Sequence, residues 1–537
     1  MPYGTYLQSR KTPQSQPIPG REQEMVRNDA GGYVFSGGDE LLFRRFLILG
    51  AEGGTYYVDE KRHVIRAGNA TRNTIRAKGV EAVREIEVVS VEGRAPRNTP
   101  ALVALSLATH PSLDAETRRA ALIEALPKVA RIGTHLFQFA HFMQLQRGWG
   151  RLAREGIANW YLKMDPKRLA YQVLKYQARK VETQRWSHRD LLRLAHPKPQ
   201  TEEQQIVFRY ITQGDLPQEE VESLRILWGF ERIKAANSKD EVISIIRDYN
   251  LTWEFVPGQW LGYADVWRAL LPNLPYTALL RNLGRLSHLR ITRPFSDEAE
   301  LVVSRLTNPE AVRQSRVHPI TIYIAMRQYG LGHGERGSLR WIVDRDVLEA
   351  LEKAFLMAFQ NVEPAGKRLL LGIDVSGSMG WGTVGGLPIT PREGAALMAL
   401  VTAKTEPKVH TMAFSHQFTE FPIHKDDTIE SITRRMRDTP FGNTDCSLPM
   451  IYALKNRIPV DAFVVYTDNE TWYGKIHPVQ ALEQYRQKMG IPARLIVVGM
   501  TATNFTIADP EDPGTLDVVG FDTATPRLIS DFAAGRI

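Results

Sequence analysis

Asp374, Ser376 and Ser378 stand two residues apart in the run RLLLGIDVSGSM. One carboxylate and two hydroxyls at that spacing can face a single point from a loop. They are oxygen donors of the kind that suits Mg²⁺ or Mn²⁺. Two later segments offer more oxygen. Thr444 lies in Gly442-Asn443-Thr444-Asp445, just before a helical stretch, and Asp468 ends DAFVVYTD. D-x-S-x-S alone is a weak signal, because many loops match it by chance. Three segments in order, each at a strand end or a loop, are a strong one. The competing reading of Asp374 is an ordinary capping or turn residue. A site of this make-up leaves a coordination position free for a partner's carboxylate.

The elements that must position these residues follow from the pattern around them. After about residue 361, RLLLGIDVS, VHTMAFS, DAFVVYTD and ARLIVVGM are apolar runs of strand length, separated by helical stretches such as REGAALMALVTAK and PVQALEQYRQKM. Strands alternating with helices imply a mostly parallel, doubly wound α/β sheet covered on both faces. Ligands gather at the carboxyl ends of such strands. Residues 35–360 instead read as helix after helix, with apolar residues at three- and four-residue steps. Breaks are expected at Pro127, Gly148, Pro166, Pro272 and Asn308. Stacked antiparallel helical pairs of irregular period satisfy this pattern. Residues 1–34 are polar and Pro-rich, and are expected to form a flexible N-terminal arm, with 361–537 as the C-terminal domain.

Composition narrows the function. The chain has 537 residues with 68 Lys+Arg and 60 Asp+Glu. Residues 361–537 hold 17 and 20 of these, which leaves 51 basic and 40 acidic residues before them. The positive surplus therefore lies in the helical part and points to an anionic partner, nucleic acid first. The single Cys446 excludes an intrachain disulfide framework and fits a reducing compartment. No apolar run is long enough to span a membrane, and the N-terminus lacks a secretory core, so no membrane partner and a cytoplasmic location are expected. Gly332-His333-Gly334-Glu335-Arg336-Gly337 fits G-x-G-x-x-G but follows a helical run, so it is rejected as a dinucleotide site. With no P-loop, H-E-x-x-H or activated nucleophile, the chain reads as a binder, not an enzyme.

Longer stretches add specificity. GAEGGTYY (50–57), THLF (134–137), WSHRDLLRLAHPKP (186–199), TALLRNLGRL (277–286) and HPITIYIA (318–325) precede DVSGSM (374–379), NTDCSLPMIYA (443–453), TDNET (467–471), FTIADP (505–510) and VVGFDT (518–523). Through them the chain resembles the Ro autoantigen (TROVE) family, in its bacterial branch. The resemblance implies an all-α ring of HEAT-like repeats closed near a von Willebrand factor A-type domain with a metal-dependent adhesion site. That site would be built on Asp374, Ser376, Ser378, Thr444 and Asp468 and would hold Mg²⁺ or another divalent cation. It further implies binding of small noncoding Y RNAs on a basic outer surface and of single-stranded 3′ ends of misfolded or damaged RNAs in a central hole. The implied role is RNA quality control and stress survival, with a 3′ exonuclease linked through the RNA and an unidentified protein ligand on the A-type domain. The competing reading is a metal-dependent protein-interaction scaffold. An accessory subunit of an ATP-driven metal-insertion machine ranks below both.

The resemblance carries Y RNA contact onto Lys175 and Arg179, four apart, and onto His196. Spacing supports a shared surface. Arg168, Gln172, Lys175 and Arg179 follow i, i+4, i+7, i+11 on one helical face. Arg189, Arg193 and His196 follow i, i+4, i+7 on the next helix, which Ser187 and Asp190 start as a capping box. Two such helices offer phosphates a compact basic stripe. Trp186 and His196 are candidates to stack on unpaired bases. Arg281 and His318 lie in matching stretches without an assignable role. Asn443 replaces a glycine common in the family, and its tolerance of unusual backbone angles is expected to keep Thr444 in place.

Overall fold

The computed structural model describes residues 11–51, 57–178, 186–315, 317–334, 338–359, 363–384, 389–439, 442–522 and 524–537. The helical part runs from a helix over Gly38–Leu49 to one over Arg345–Met357. The helices lie back to back in sequence order and bury one continuous apolar core. The expected break at Pro127 is not a break. Helix Ala115–Arg119 passes through a π-helical turn, Ala120–Ala125, into Leu126–Val129. Proline lacks the N–H that would bond the carbonyl four residues back, at Ile123. Asn159 Nδ2 donates to that carbonyl at 3.0 Å.

The C-terminal part is a six-stranded sheet. Its strands are β3 (Arg368–Asp374), β4 (Lys408–Phe414), β5 (Phe418–Glu420), β6 (Ala462–Thr467), β7 (Arg494–Gly499) and β9 (Thr515–Val519), in the order β5-β4-β3-β6-β7-β9. All pairings are parallel except β4 with β5, which form an antiparallel edge, so the sheet is mixed. Helices cover both faces, as near-continuous apolar strands require. The chain leaves β3 to one side for β4 and returns on the other side as β6. That makes the carboxyl end of β3 the switch point of the fold.

The N-terminal segment corrects the expectation of a flexible arm over 1–34 for residues 11–34; residues 1–10 lie outside the described residues. Residues 11–36 are folded onto the A-type domain. β1 (Met25–Arg27) pairs with β2 (Tyr33–Ser36), and β2 pairs antiparallel with β8 (Phe505–Thr506). Ile18, Met25 and Phe35 are buried with Val479, and Arg21 pairs with Asp509 and Glu24. A polar, Pro-rich stretch reads as unstructured when its few apolar residues have no visible partner. Here the partners lie more than 400 positions away. The expected boundary at 360/361 falls among residues 360–362, outside the described residues.

The helical series both starts and ends on this domain. The fully buried Arg45, on the first helix, donates to Thr503 O, Thr503 Oγ1 and Phe505 O and pairs with Asp517 at 2.7 Å. At the far end, Arg327 pairs with Glu393, Ile429 N donates to Glu352 Oε1, and His318 faces Phe521. These contacts close the chain into a ring.

Candidate functional sites

The switch point gathers the acidic site. β3 ends in Asp374, and Asp468 follows β6 directly. Asp374 Oδ1 accepts from Ser376 N at 2.8 Å, and its Oδ2 accepts from Thr467 Oγ1 at 2.7 Å. The Ser376 and Ser378 hydroxyls lie 3.1 Å apart, and Ser378 acts to hold the Asp468 carboxyl down against the effect of burial. Asp374, Ser376, Ser378, Thr444 and Asp468 are all buried. Burial, and next the charge of Asp468, push the Asp374 carboxyl up to about 7. Burial raises Asp468 as well. Arg392 lies close, but its Nη2 serves the carbonyls of Val375 and Ser376. Among the described residues no cluster of three or more His, Cys, Asp or Glu is placed to hold a metal. Any cation here would therefore rely on two carboxylates and hydroxyls. That all-oxygen donor set, with two buried acids repelling each other, has the chemistry of a hard divalent-cation site.

Thr444 enters from a second loop. Its carbonyl accepts from Trp472 N (3.2 Å) and Tyr473 N (3.1 Å), which ties it to the loop after Asp468. Asn443 is exposed and is not among the positive-φ residues, so the unusual angles expected there are absent. The position that matters is Gly442, where a Cβ would collide with the His416 ring. Two residues near the site were missed in the sequence. Tyr57, from the helical part, stands near the site, and its phenol is raised by burial and then by Asp468, Glu470 and Asp374, with Ser378 opposing. Glu470 is buried and held by Ala30 N, which donates to its Oε2 at 2.9 Å. Both lie in stretches singled out above, Tyr57 in GAEGGTYY and Glu470 in TDNET, but the contacts that bring them to the site come from distant chain.

The basic residues occupy two consecutive helices, Pro166–Ala178 and His188–Ala195. Tyr176 links them, meeting the His188 ring edge-on (6.0 Å between centroids) and donating to Trp186 O. His188 is sealed in this aromatic cluster with Phe137, Trp160 and Tyr161, and burial pushes it down to about 3. The Ser187–Asp190 capping box starts the second helix. Arg168, Arg189, Arg193 and His196 are exposed. Arg168 Nη2 donates to Arg131 O at 3.0 Å. Lys175 is engaged within the fold: its Nζ lies 3.1 Å from Oε1 of Glu254, which is itself buried. His196 does not continue the helical face. It is the left-handed C-cap, with φ of 47°. Trp186 is half-buried and packed edge-on against Trp149. Gln172 accepts from Gly133 N at 3.4 Å. Arg179 lies outside the described residues.

Of the unassigned residues, Arg281 is exposed on helix Tyr276–His288. His318 is buried at the joint with the A-type domain, where its Nδ1 accepts from Ile320 N. Gly332 follows helix Pro319–Gly330, with no strand before it, and 335–337 lie outside the described residues. Among the described residues no helix is long and apolar enough to cross a membrane.

Comparison with known proteins gives this architecture its relatives. A TROVE domain model matches residues 26–328, and a Ro60 vWA domain model matches 368–533. The chain is 42% identical over 519 residues to a Deinococcus radiodurans protein named RNA-binding protein RO60, covering 96% of each chain. It is 33% identical over 590 residues to the Caenorhabditis elegans protein of the same name, covering 95% of this chain and 90% of that one. The crystal structure of the Deinococcus radiodurans RO (RSR) protein superposes with a TM-score of 0.71 at 42% identity, over 93% of this chain and 100% of that chain. Both relatives are named for RNA binding, and the family is one of binding proteins rather than enzymes. A ring of helices closed on an A-type domain, matched along nearly its whole length, places the chain in the Ro60 family of TROVE-domain proteins.

Proposed function

We propose that this protein binds RNA through the exposed basic face of helices 166–178 and 188–195, and that its structured ligand is a small noncoding RNA of the Y type. The observation that carries the reading is the pairing of close RNA-binding relatives with four exposed basic side chains: Arg168, Arg189 and Arg193 on two adjoining helices, and His196 at the C-cap of the second. Phosphates are met by such a stripe through displacement of counterions, so affinity falls steeply with salt. Single-stranded 3′ ends of misfolded or damaged RNAs are the second ligand class, in a central hole. The role is RNA quality control and stress survival in the cytoplasm, with a 3′ exonuclease recruited through the bound RNA. The A-type domain holds Mg²⁺ or a similar cation with Asp374, Ser376, Ser378, Thr444 and Asp468. Bound there, the cation supplies a Lewis-acidic position for a protein ligand's carboxylate. The protein-scaffold reading is favoured only by this acidic site, and the two roles are compatible.

The test is RNA co-purification from native cells in low salt. The wild type is compared with the variant Arg168→Ala, Arg189→Ala, Arg193→Ala, His196→Ala, and the extracted RNA is sequenced. A small structured RNA enriched on the wild type and lost from the variant is the expected result. Equal enrichment on both moves the site elsewhere on the chain. No enriched RNA favours the protein scaffold.

A further inference from the structure

We propose that Gln14, in the N-terminal segment, is a positioning residue for the cation site, holding the loop of Thr444 and the loop of Asp468 at their working separation. This rests on the metal-site reading above. Gln14 is fully buried although it is polar and stands near the start of the chain. Its Nε2 donates to Asp445 Oδ1 and to Ile476 O, each at 2.8 Å. Its Oε1 accepts from Thr471 Oγ1. Its main chain is pinned as well, donating to Gly474 O at 2.9 Å and accepting from Tyr33 N at 2.7 Å. Both amide hydrogens and the amide oxygen are therefore spent on two loops of another domain.

Those loops carry the candidate ligands. Asp445 follows Thr444 directly, and Thr471 lies three residues after Asp468. Thr471 Oγ1 also accepts from Cys446 N at 3.0 Å, so one hydroxyl joins Gln14 to the Thr444 loop. The approach is close: a Cβ on Gly474 would collide with Gln14 Nε2 and Asp445 Oδ1, and one on Gly32 with Thr471 O. The same segment grips the Asp468 loop twice more. Asn28 Nδ2 donates to Thr471 O (2.8 Å) and Asn469 O (3.2 Å), and Ala30 N bonds Glu470. Neither ligand loop is helix or strand at Thr444 or Asp468, so neither is held by a ladder of backbone bonds. A small divalent cation demands near-ideal donor geometry. Groups that orient the ligands without touching the metal typically change affinity by about 10–100-fold.

The experiment uses the full chain and Mn²⁺ alone, titrated while the signal of free aqueous Mn²⁺ is followed by electron paramagnetic resonance. Gln14→Met keeps the volume and removes every side-chain hydrogen bond. Thr471→Val breaks the same lace from the A-domain side. Arg21→Met loosens the N-terminal segment at Asp509, away from the ligand loops, and Asp374→Ala is the site control. Expected is Mn²⁺ affinity weakened about tenfold in Gln14→Met and Thr471→Val, nearly unchanged in Arg21→Met, and lost in Asp374→Ala. Wild-type affinity in either folded lace variant overturns the proposal, and so does an equal loss in Arg21→Met, which would reduce Gln14 to packing. Wild-type Mn²⁺ binding that Asp374→Ala does not abolish, or no binding at all, overturns the metal-site reading and the proposal with it.

Discussion

Lys175 and the two arginines of the following helix carry like charges but answer to different demands. Glu254 is buried, and its Oε1 is met by Lys175 Nζ while its Oε2 accepts from Thr252 Oγ1 at 3.0 Å. Removing the lysine leaves a buried carboxylate half-served. Because the lysine side chain is 40% exposed, the cost falls to about 1–2 kcal/mol, below the roughly 3–5 expected for a fully buried pair. Arg189 and Arg193 stand on the open face, and substitutions at such positions shift stability by about 0.5 kcal/mol or less. Arg189→Ala with Arg193→Ala is therefore expected to weaken structured-RNA binding and flatten its salt dependence, by about one unit of slope per lost phosphate contact, at unchanged thermal stability. Lys175→Ala is expected to lower the melting temperature as well as the affinity. Filter binding at several salt concentrations, beside thermal melts, checks both. Unaltered affinity and slope in the folded double variant would remove these arginines from the interface.

Elements persist here because distant residues repair local faults. The helix over 115–129 widens into a π-helical turn ahead of Pro127, and Asn159, from another helix, takes up the Ile123 carbonyl. Asn159→Ala removes that bond, at a cost of about 0.5–1.5 kcal/mol. Its signature is local: amide exchange should speed up in 115–129 more than in the strands of the A-type domain. Exchange that rises equally everywhere would deny Asn159 this role. The same dependence explains what the sequence made legible. Apolar runs of strand length and the 3.6-residue period identified the sheet and the helices, since the central strands are buried on both faces and each helix on one. The motif DVSGSM together with TDN placed Asp374 and Asp468, because parallel topology itself brings the carboxyl ends of β3 and β6 together. The docking of segment 11–36, the placement of Tyr57 at the site and the Lys175–Glu254 pair were not legible, because each needs a partner remote in sequence. His196 misled for a local reason: the i+7 count assumed one more residue of helix, whereas a left-handed C-cap ends it there.

Across the whole molecule, the buried imidazoles fall mostly in the helical part. Burial holds His63 and His135 down to about 4, and His188 and His318 down to about 3. At His63 the neighbouring Arg66 adds to the effect of burial, and Asp29 opposes it. In the A-type domain burial also lowers His477, but it raises Asp522. The signs are opposite. A histidine whose folded pKa lies below its ordinary 6.5 takes up a proton on unfolding between those values. Its stabilising contribution is complete above about 6.5 and is lost as pH falls toward 4, by at most about 1.4 kcal/mol per pH unit for each such group. A buried acid with a raised pKa binds its proton more readily in the folded state, so it gains stability over part of the same range. Mild acid should therefore weaken the helical part relative to the A-type domain. The segment around His135 and His188 is the sensitive one, since His188 lies among Phe137, Trp160, Tyr161 and Tyr176, with no acidic partner on its ring among the described residues. Amide exchange at pH 7.0 and about pH 5.5, corrected for intrinsic rates, should show peptides across 130–195 losing protection while β3, β6 and β7 keep theirs. The asymmetry should shrink in His188→Phe, which cannot take up the proton. Equal protection of the 130–195 peptides at the two pH values would mean that these imidazoles reach water without unfolding, and that the helical part opens more readily than its packing implies.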